Sequence, residues 1–280
     1  MQGLRLKRLF ITILIAICAC SASAASTFDS EKSAYQPSDT RILDRHGELL
    51  QRVRADHTVR RGQWLALSDI SPALRTALVL SEDKRFYEHS GVDWQAVSGA
   101  AWANVWNSKT RGASTLTIQL AGLLDDDLKR SQGGRSVAQK VSQTVAAQAL
   151  ERTWRKDQIL EAYLNLVPLR GELVGVDALS HTLFGKAAHG LDVREAALTA
   201  ALVRAPNAAP AQVAQRACGV LKLMQPKGAD CGGLDLFTQA ALQRRDWPAS
   251  EGVAPHVARL LVAQQVAPRR NAIRSSLSAP

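Results

Sequence analysis

The chain has 280 residues, 46% of them hydrophobic and 21% charged, with a formal net charge of +10. That much apolar material supports one large domain or two small ones and excludes a chain disordered throughout. The positive balance favours an anionic partner, a phospholipid surface or a phosphorylated substrate. No helix-turn-helix, zinc-finger spacing or aromatic-basic RNA motif accompanies it, so nucleic acid is not expected as a partner.

At the N-terminus, Arg5, Lys7 and Arg8 precede an apolar run over 9–20, and Ser-Ala-Ser-Ala-Ala-Ser follows. This pattern predicts an export signal over 1–25, cleaved after Ala24 or Ala25. An uncleaved anchor or a lipoprotein-type Cys20 are the alternatives; the run is short of the ~20 apolar residues a membrane span needs. Each of these places the body of the chain outside the cytoplasm. Cys218 and Cys231 lie beyond the export segment, and in an oxidising compartment they either pair or stay as thiols. No histidine stands near them at zinc-ligand spacing.

Further on, Arg41-Ile-Leu-Asp-Arg-His-Gly-Glu-Leu-Leu50 reads as strand, turn, strand, with the turn over 44–47. Ser71-Pro72 starts a helix, Ser as N-cap and Pro at the first helical position, whose apolar face (Leu74, Leu78, Val79) delivers Glu82 to the helix end. A helix-like stretch over 94–106 is followed by Gly112-Ala-Ser-Thr, a loop entering a helix with N–H groups and hydroxyls suited to an anion. A polar loop over 125–134 precedes a long helix over 135–152, on which Lys140 and Gln143 share a face. In Lys156-Asp-Gln-Ile-Leu-Glu-Ala-Tyr-Leu-Asn165, the residues Leu160, Tyr163 and Leu164 read as core. Asp192 and Glu195 form a capping box opening a helix that Pro206 stops, and two or three short helices and a polar tail follow.

The motifs that carry chemistry are Glu82-Asp83-x-x-Phe86-x-x-His89-x-Gly91-x-Asp93, Gly112-x-Ser114-Thr115 with Gln119, the segment 156–165, and Leu183-Phe-Gly-Lys186 with Leu191-Asp192-Val-Arg-Glu195. Each alone is an ordinary cap, turn or amphipathic face. In this order they resemble the peptidoglycan glycosyltransferases, the glycan-polymerising domain of bifunctional penicillin-binding proteins, and in style the penicillin-binding protein 1C branch. The resemblance covers 41 to about 210 and implies a mainly α, lysozyme-like bilobal domain with a short N-terminal β-hairpin. That domain would span 26–210, with a head carrying Glu82 and a smaller membrane-facing lobe around 94–124. A helical extension with a polar tail would occupy 211–280, and the chain reads as monofunctional.

The resemblance also implies roles. Glu82 would be the general base that deprotonates the 4-hydroxyl of an acceptor sugar for attack on an anomeric carbon bearing a pyrophosphate. Asp83, Phe86 and His89 would belong to the substrate site, orienting Glu82 and its loop, with Phe86 packing below. Ser114, Thr115 and Gln119 would contact substrate; Arg135 and Lys140 would hold the diphosphate leaving group. Gln143 occupies the place of the family's second carboxylate, and Glu161 would buttress the site. No residue is assigned as a metal ligand, though a divalent cation (Mg or Mn) is a possible cofactor, as in the family. The implied partners are a lipid-linked peptidoglycan precursor, the membrane surface and other cell-wall synthases, on the periplasmic side of the inner membrane.

Four positions depart from the family pattern: Gly122 and Ser142 stand in place of cations, Gln143 in place of a carboxylate, and Arg170 where a glycine able to adopt positive φ is usual. The expected activity is polymerisation of lipid-linked disaccharide-peptide. The departures motivate a second reading, a catalytically weak relative that binds the same substrate or a cell-wall enzyme. A third, a glycan-cleaving enzyme, shares the fold and the lone glutamate.

Overall fold

A computed structural model of the chain describes residues 26–94, 114–124, 137–244, 254–264 and 271–278, with the backbone alone over 137–141. Helix α1 (Phe28–Ala34) opens the described chain, its first turn capped by the Thr27 hydroxyl accepting from Ser30 N. Strands β1 (Asp39–Leu43) and β2 (Leu49–Arg54) form the expected hairpin. Asp44 Oδ1 closes its turn by accepting from the His46 and Glu48 amides, and Gly47 takes φ 96° there.

Strand β3 (Arg60–Arg61) leads by way of a short 3-10 turn to α2 (Pro72–Glu82). Ser71 caps α2 as its sequence predicts, Oγ accepting from Ala73 N at 3.2 Å and donating to Leu191 O at 2.7 Å. After α3 (Leu116–Leu124) and α4 (Val137–Thr153), α5 (Lys156–Leu166) runs through the centre with seven buried residues, Ile159 to Asn165. Strands β4 (Pro168–Arg170) and β5 (Leu173–Val174) join β3 in a sheet of order β3-β5-β4. The short α6 (Val176–Leu179) precedes α7 (Val193–Arg204), whose Asp192–Glu195 capping box is present with both bonds made.

Helices α8 (Pro210–Met224), α9 (Leu234–Gln243) and α10 (Pro255–Ala263) follow. Val213, Ala217, Val220 and Leu221 of α8 and Leu234, Ala241 and Leu242 of α9 belong to the same hydrophobic cluster as Leu74 and Leu78 of α2 and Leu198 of α7. The stretch after 210 therefore closes the core. Cys218 and Cys231 pair as a disulfide that ties α8 to the loop before α9; a closed loop of this size contributes about 3 kcal/mol by the chain-entropy argument.

Two expectations need revision. The tail is not only polar: β6 (Ala272–Arg274) adds to β1 in parallel register, Ile42 opposite Ile273, giving a sheet of order β2-β1-β6. Three residues are too few to show a period of two, so sequence offered no signal. Arg170 does not carry the positive φ of its loop. It lies in β4, while Gly171 (φ 55°) and Gly175 (φ 78°) take the left-handed positions, and a Cβ on Gly175 would collide with the Asn165 carbonyl. The Arg170 guanidinium donates to the carbonyls of Pro206 and Ala208 just beyond α7.

The expected smaller lobe lies largely outside the described residues, Trp102 and Trp106 with it; Trp94 is described and exposed. No helix among the described residues is long and apolar enough to cross a membrane, and the predicted export signal lies outside them.

Candidate active site

Glu82 is the last residue of α2, and its side chain is 7% exposed. The helix stops because Asp83 leaves helical geometry (φ −155°, ψ 76°) while its N–H still bonds to Val79 O. The chain then folds back on itself. His89 Nε2 donates to the Asp83 carboxylate at 2.9 and 3.1 Å, and Leu116 N, the first amide of α3, donates to Asp83 Oδ2 at 3.1 Å. Arg85 pairs with Asp93 across the same loop. Phe86 is fully buried, edge-on to His89, with Lys156 Nζ 4.5 Å from its ring centroid.

Asp83 thus joins the two motifs by capping α3. Phe86, with no exposed surface, packs below the loop, as its place in the motif implied. Thr115 sits at the start of α3. Its hydroxyl donates to Gly91 O at 2.6 Å and accepts from Ile118 N at 3.2 Å, so it is consumed as an N-cap. Ser114 differs: its Oγ is buried without a hydrogen-bond partner among the described residues.

Gln119 connects α3 to the carboxylate. Its Oε1 accepts from the Tyr163 hydroxyl at 2.8 Å, which turns Nε2 toward Glu82 Oε2 at 3.4 Å. Glu82 Oε1 has no hydrogen-bond partner among the described residues; Arg204 Nε, at the end of α7, stands 3.8 Å away on a side chain that is 61% exposed. Burial holds the Glu82 carboxyl above the usual carboxylate range, and the neighbouring Asp83 charge adds to this; the Arg204 charge and the Gln119 hydrogen bond oppose it. Sequence reading missed both Tyr163, which it placed in the core, and Arg204. The Tyr163 ring is buried as expected, but its hydroxyl is set against a residue 44 positions away, which no local pattern reports.

Gln143 and Gly122, two departures from the family pattern, meet each other. A Cβ on Gly122 would come within 2.7 Å of Gln143 Nε2, so the missing side chain on α3 is what admits the buried amide from α4. Both residues line an open pocket of about 580 Å³ together with Gln119 and Tyr163. Glu161 makes no hydrogen bond to Glu82. It accepts from Lys32 Nζ (3.0 Å), Trp64 Nε1 (2.7 Å) and Leu67 N (2.9 Å), and so anchors the segment before α2. Arg135 lies outside the described residues, and the side chain of Lys140 likewise.

Among the described residues no group of three His, Cys, Asp or Glu is placed to hold a metal ion. Asp83 is committed to His89 and the Leu116 amide, and Gln143 offers an amide where a hard cation prefers carboxylates. These donors do not fit a divalent cation.

Comparison with known proteins decides the family. The family model described as Transglycosylase matches residues 46–225. The chain belongs to this family. Along 219 residues it is 32% identical to penicillin-binding protein 1A of Clostridium tetani, covering 72% of this chain and 26% of that protein. It is 39% identical over 144 residues to a biosynthetic peptidoglycan transglycosylase of Haemophilus influenzae, covering 51% of this chain and 56% of that one. The chain therefore spans less than two thirds of either relative. With the corresponding protein of Shewanella oneidensis it is 36% identical over 173 residues, covering 60% and 72% of the two chains. A crystal structure of penicillin-binding protein 1A from Haemophilus influenzae aligns at 19% identity and a TM-score of 0.36, covering 81% of this chain and 24% of that one. The transglycosylase motifs fall on a mainly α chain with small sheets, and the matched span includes Glu82, Gln119, Gln143, Tyr163 and Arg204.

Proposed function

We propose that this chain is a peptidoglycan glycosyltransferase acting outside the cytoplasm on a lipid-linked disaccharide-peptide. Glu82 accepts the proton of the acceptor's 4-hydroxyl, the oxygen bonds to the donor's anomeric carbon, and the bond from that carbon to the polyprenyl pyrophosphate breaks, the pyrophosphate leaving with the electron pair. Attack opposite an α-linked leaving group gives a β-linked product by inversion. Arg135 and Lys140 are assigned to the leaving group, and Ser114 Oγ, buried without a hydrogen-bond partner among the described residues, is assigned to the substrate.

The observation that carries this reading is Glu82 itself. It is a buried carboxylate with one oxygen held through Gln119 and the other without a hydrogen-bond partner among the described residues. Such an arrangement leaves a strong proton acceptor poised in a site of reduced dielectric. A second reading, a relative that binds substrate without turnover, draws on the uncharged amide of Gln143 packed against Gly122. Gel-resolved polymerisation of labelled lipid-linked disaccharide-peptide by the full chain separates them. Polymer from the wild type and none from Glu82→Gln supports the polymerase; no polymer from either, with substrate bound equally by both, supports the binding relative.

A further inference from the structure

The pocket beside the catalytic glutamate is lined by more than family motif residues. Glu31 from α1, Tyr35 and Gln36 from the extended segment after it, and Arg61 from β3 line the same ≈ 580 Å³ space as Gln119 and Tyr163, and the remaining lining is mostly aliphatic. A segment far upstream of Glu82 therefore reaches the site. Tyr35 is fixed there, its hydroxyl donating to Gly62 O at 3.1 Å. The segment is anchored from behind by Lys32 on Glu161 and by Phe28 edge-on to Trp64 and Trp154.

Arg61 is the informative residue. Its Nε is buried with no hydrogen-bond partner among the described residues. Its Nη1 reaches only the Gln36 carbonyl, at 3.4 Å, and its guanidinium lies 5.8 Å from the Tyr35 ring centroid. Neither Arg61 nor Glu31 forms an ion pair among the described residues, and the two do not pair with each other although they line one pocket. A buried guanidinium N–H without an acceptor is costly unless a ligand supplies one. An unpaired cation and an unpaired anion, held apart along one pocket wall, match a ligand that carries a carboxylate and an ammonium together.

We propose that this pocket recognises the peptide portion of the substrate through a free zwitterionic amino-acid group, its carboxylate on Arg61 and its ammonium on Glu31. The inference rests on the polymerase reading above and adds the part of the substrate that the N-terminal segment selects. The aliphatic lining accommodates the side-chain methylenes between the peptide and that charged end, and Gln36 and Gln119 offer amides to peptide groups.

The test uses the full chain in detergent with four lipid-linked disaccharide substrates. They are a peptide that carries a free amine and a free carboxylate together on one side chain, the same peptide N-acetylated, the same peptide with that carboxylate amidated, and no peptide. On the wild type, acetylation or amidation raises KM roughly ten-fold with kcat little changed. Arg61→Gln no longer distinguishes the amidated peptide but still rejects the acetylated one; Glu31→Gln shows the reverse pattern. This crossing of effects is one that a merely misfolded variant does not produce. Equal KM for all four substrates on the wild type, with polymer formed, overturns the proposal and leaves the polymerase reading standing. Polymer from none of them removes the reading on which the proposal rests. An Arg61→Gln effect as large on the peptide-free substrate as on the unmodified one assigns the cation to pyrophosphate and overturns the peptide assignment. Calorimetric titration of the wild type and both variants with soluble disaccharide-peptide gives a readout independent of turnover, with binding weakened roughly ten-fold in each variant.

Discussion

Glu82 and Glu161 are both buried glutamates on helices and both lie in family motifs, yet their surroundings differ. Glu161 receives three donors, Lys32 Nζ from α1 and Trp64 Nε1 and Leu67 N from the segment before α2, 94 to 129 positions away. Glu82 receives one long hydrogen bond from Gln119, and its Oε1 has no hydrogen-bond partner among the described residues, only the exposed Arg204 guanidinium at 3.8 Å. A carboxylate whose lone pairs are taken up holds a fold together; one left short of donors keeps basicity for a proton that arrives with a substrate. The comparison teaches that motif membership alone does not separate an acid tied into the fold from one left with spare acceptor capacity, whereas donor satisfaction does.

The sharpest way to break the comparison is Glu82→Gln. Loss of the base is expected to reduce polymerisation by about 10²–10⁴-fold, with the fold intact. Stability supplies the control. Burial raises the Glu82 pKa in the fold, so as pH climbs through the ordinary carboxylate range the unfolded chain ionises first and the native state loses ground. Scanning calorimetry should therefore show that the Glu82→Gln variant has a higher Tm than the wild type near neutral pH, with the gain vanishing below the ordinary carboxylate range. A Tm that falls at neutral pH would make Glu82 structural.

Glu161→Ala should act in the opposite way. It leaves Trp64 Nε1 and Leu67 N without their acceptor and removes the partner of Lys32. The expected cost is about 3 kcal/mol, a fall in Tm of roughly 6–12 °C, with activity per folded molecule largely kept. A collapse of turnover at unchanged Tm would place Glu161 in the chemistry after all.

Between these extremes stands the Gly122–Gln143 pair. Gly122→Ala drives a Cβ against the buried Gln143 amide and is expected to cost about 1–3 kcal/mol. Gln143→Ser in the same chain should recover most of that loss, and denaturant unfolding of the two single variants and the double reads the coupling. Additive costs would mean that the two departures are independent.

Much of this is legible in the sequence. Ser71-Pro72 and Asp192–Glu195 announce their helix starts because caps are local chemistry. What escapes reading is non-local. Glu161 finds partners that no spacing reveals, Thr115 turns its hydroxyl inward to Gly91, β6 pairs with a strand at the other end of the chain, and Arg61 reaches the pocket from β3. The contact of Gly122 with Gln143 is of the same kind: each reads alone as a missing charge, and only packing shows that one makes room for the other.

The smallest expected effect probes the cation near Glu82 Oε1. Arg204 lowers the Glu82 pKa from 3.8 Å, but its side chain is 61% exposed, so solvent screens most of the pair. Replacing it with Gln removes that opposing charge and leaves burial to act with less restraint, so Glu82 takes up its proton at a higher pH. The acidic limb of kcat/KM should then move upward in pH, with the plateau on its alkaline side little changed. Salt separates this charge effect from a change of shape. Added salt weakens the exposed pair in the wild type and should carry its acidic limb toward that of Arg204→Gln, while the variant's own limb responds less. A limb that moves the other way, or one in the wild type that ignores salt, would show that the Glu82 proton is governed by Gln119 and burial alone.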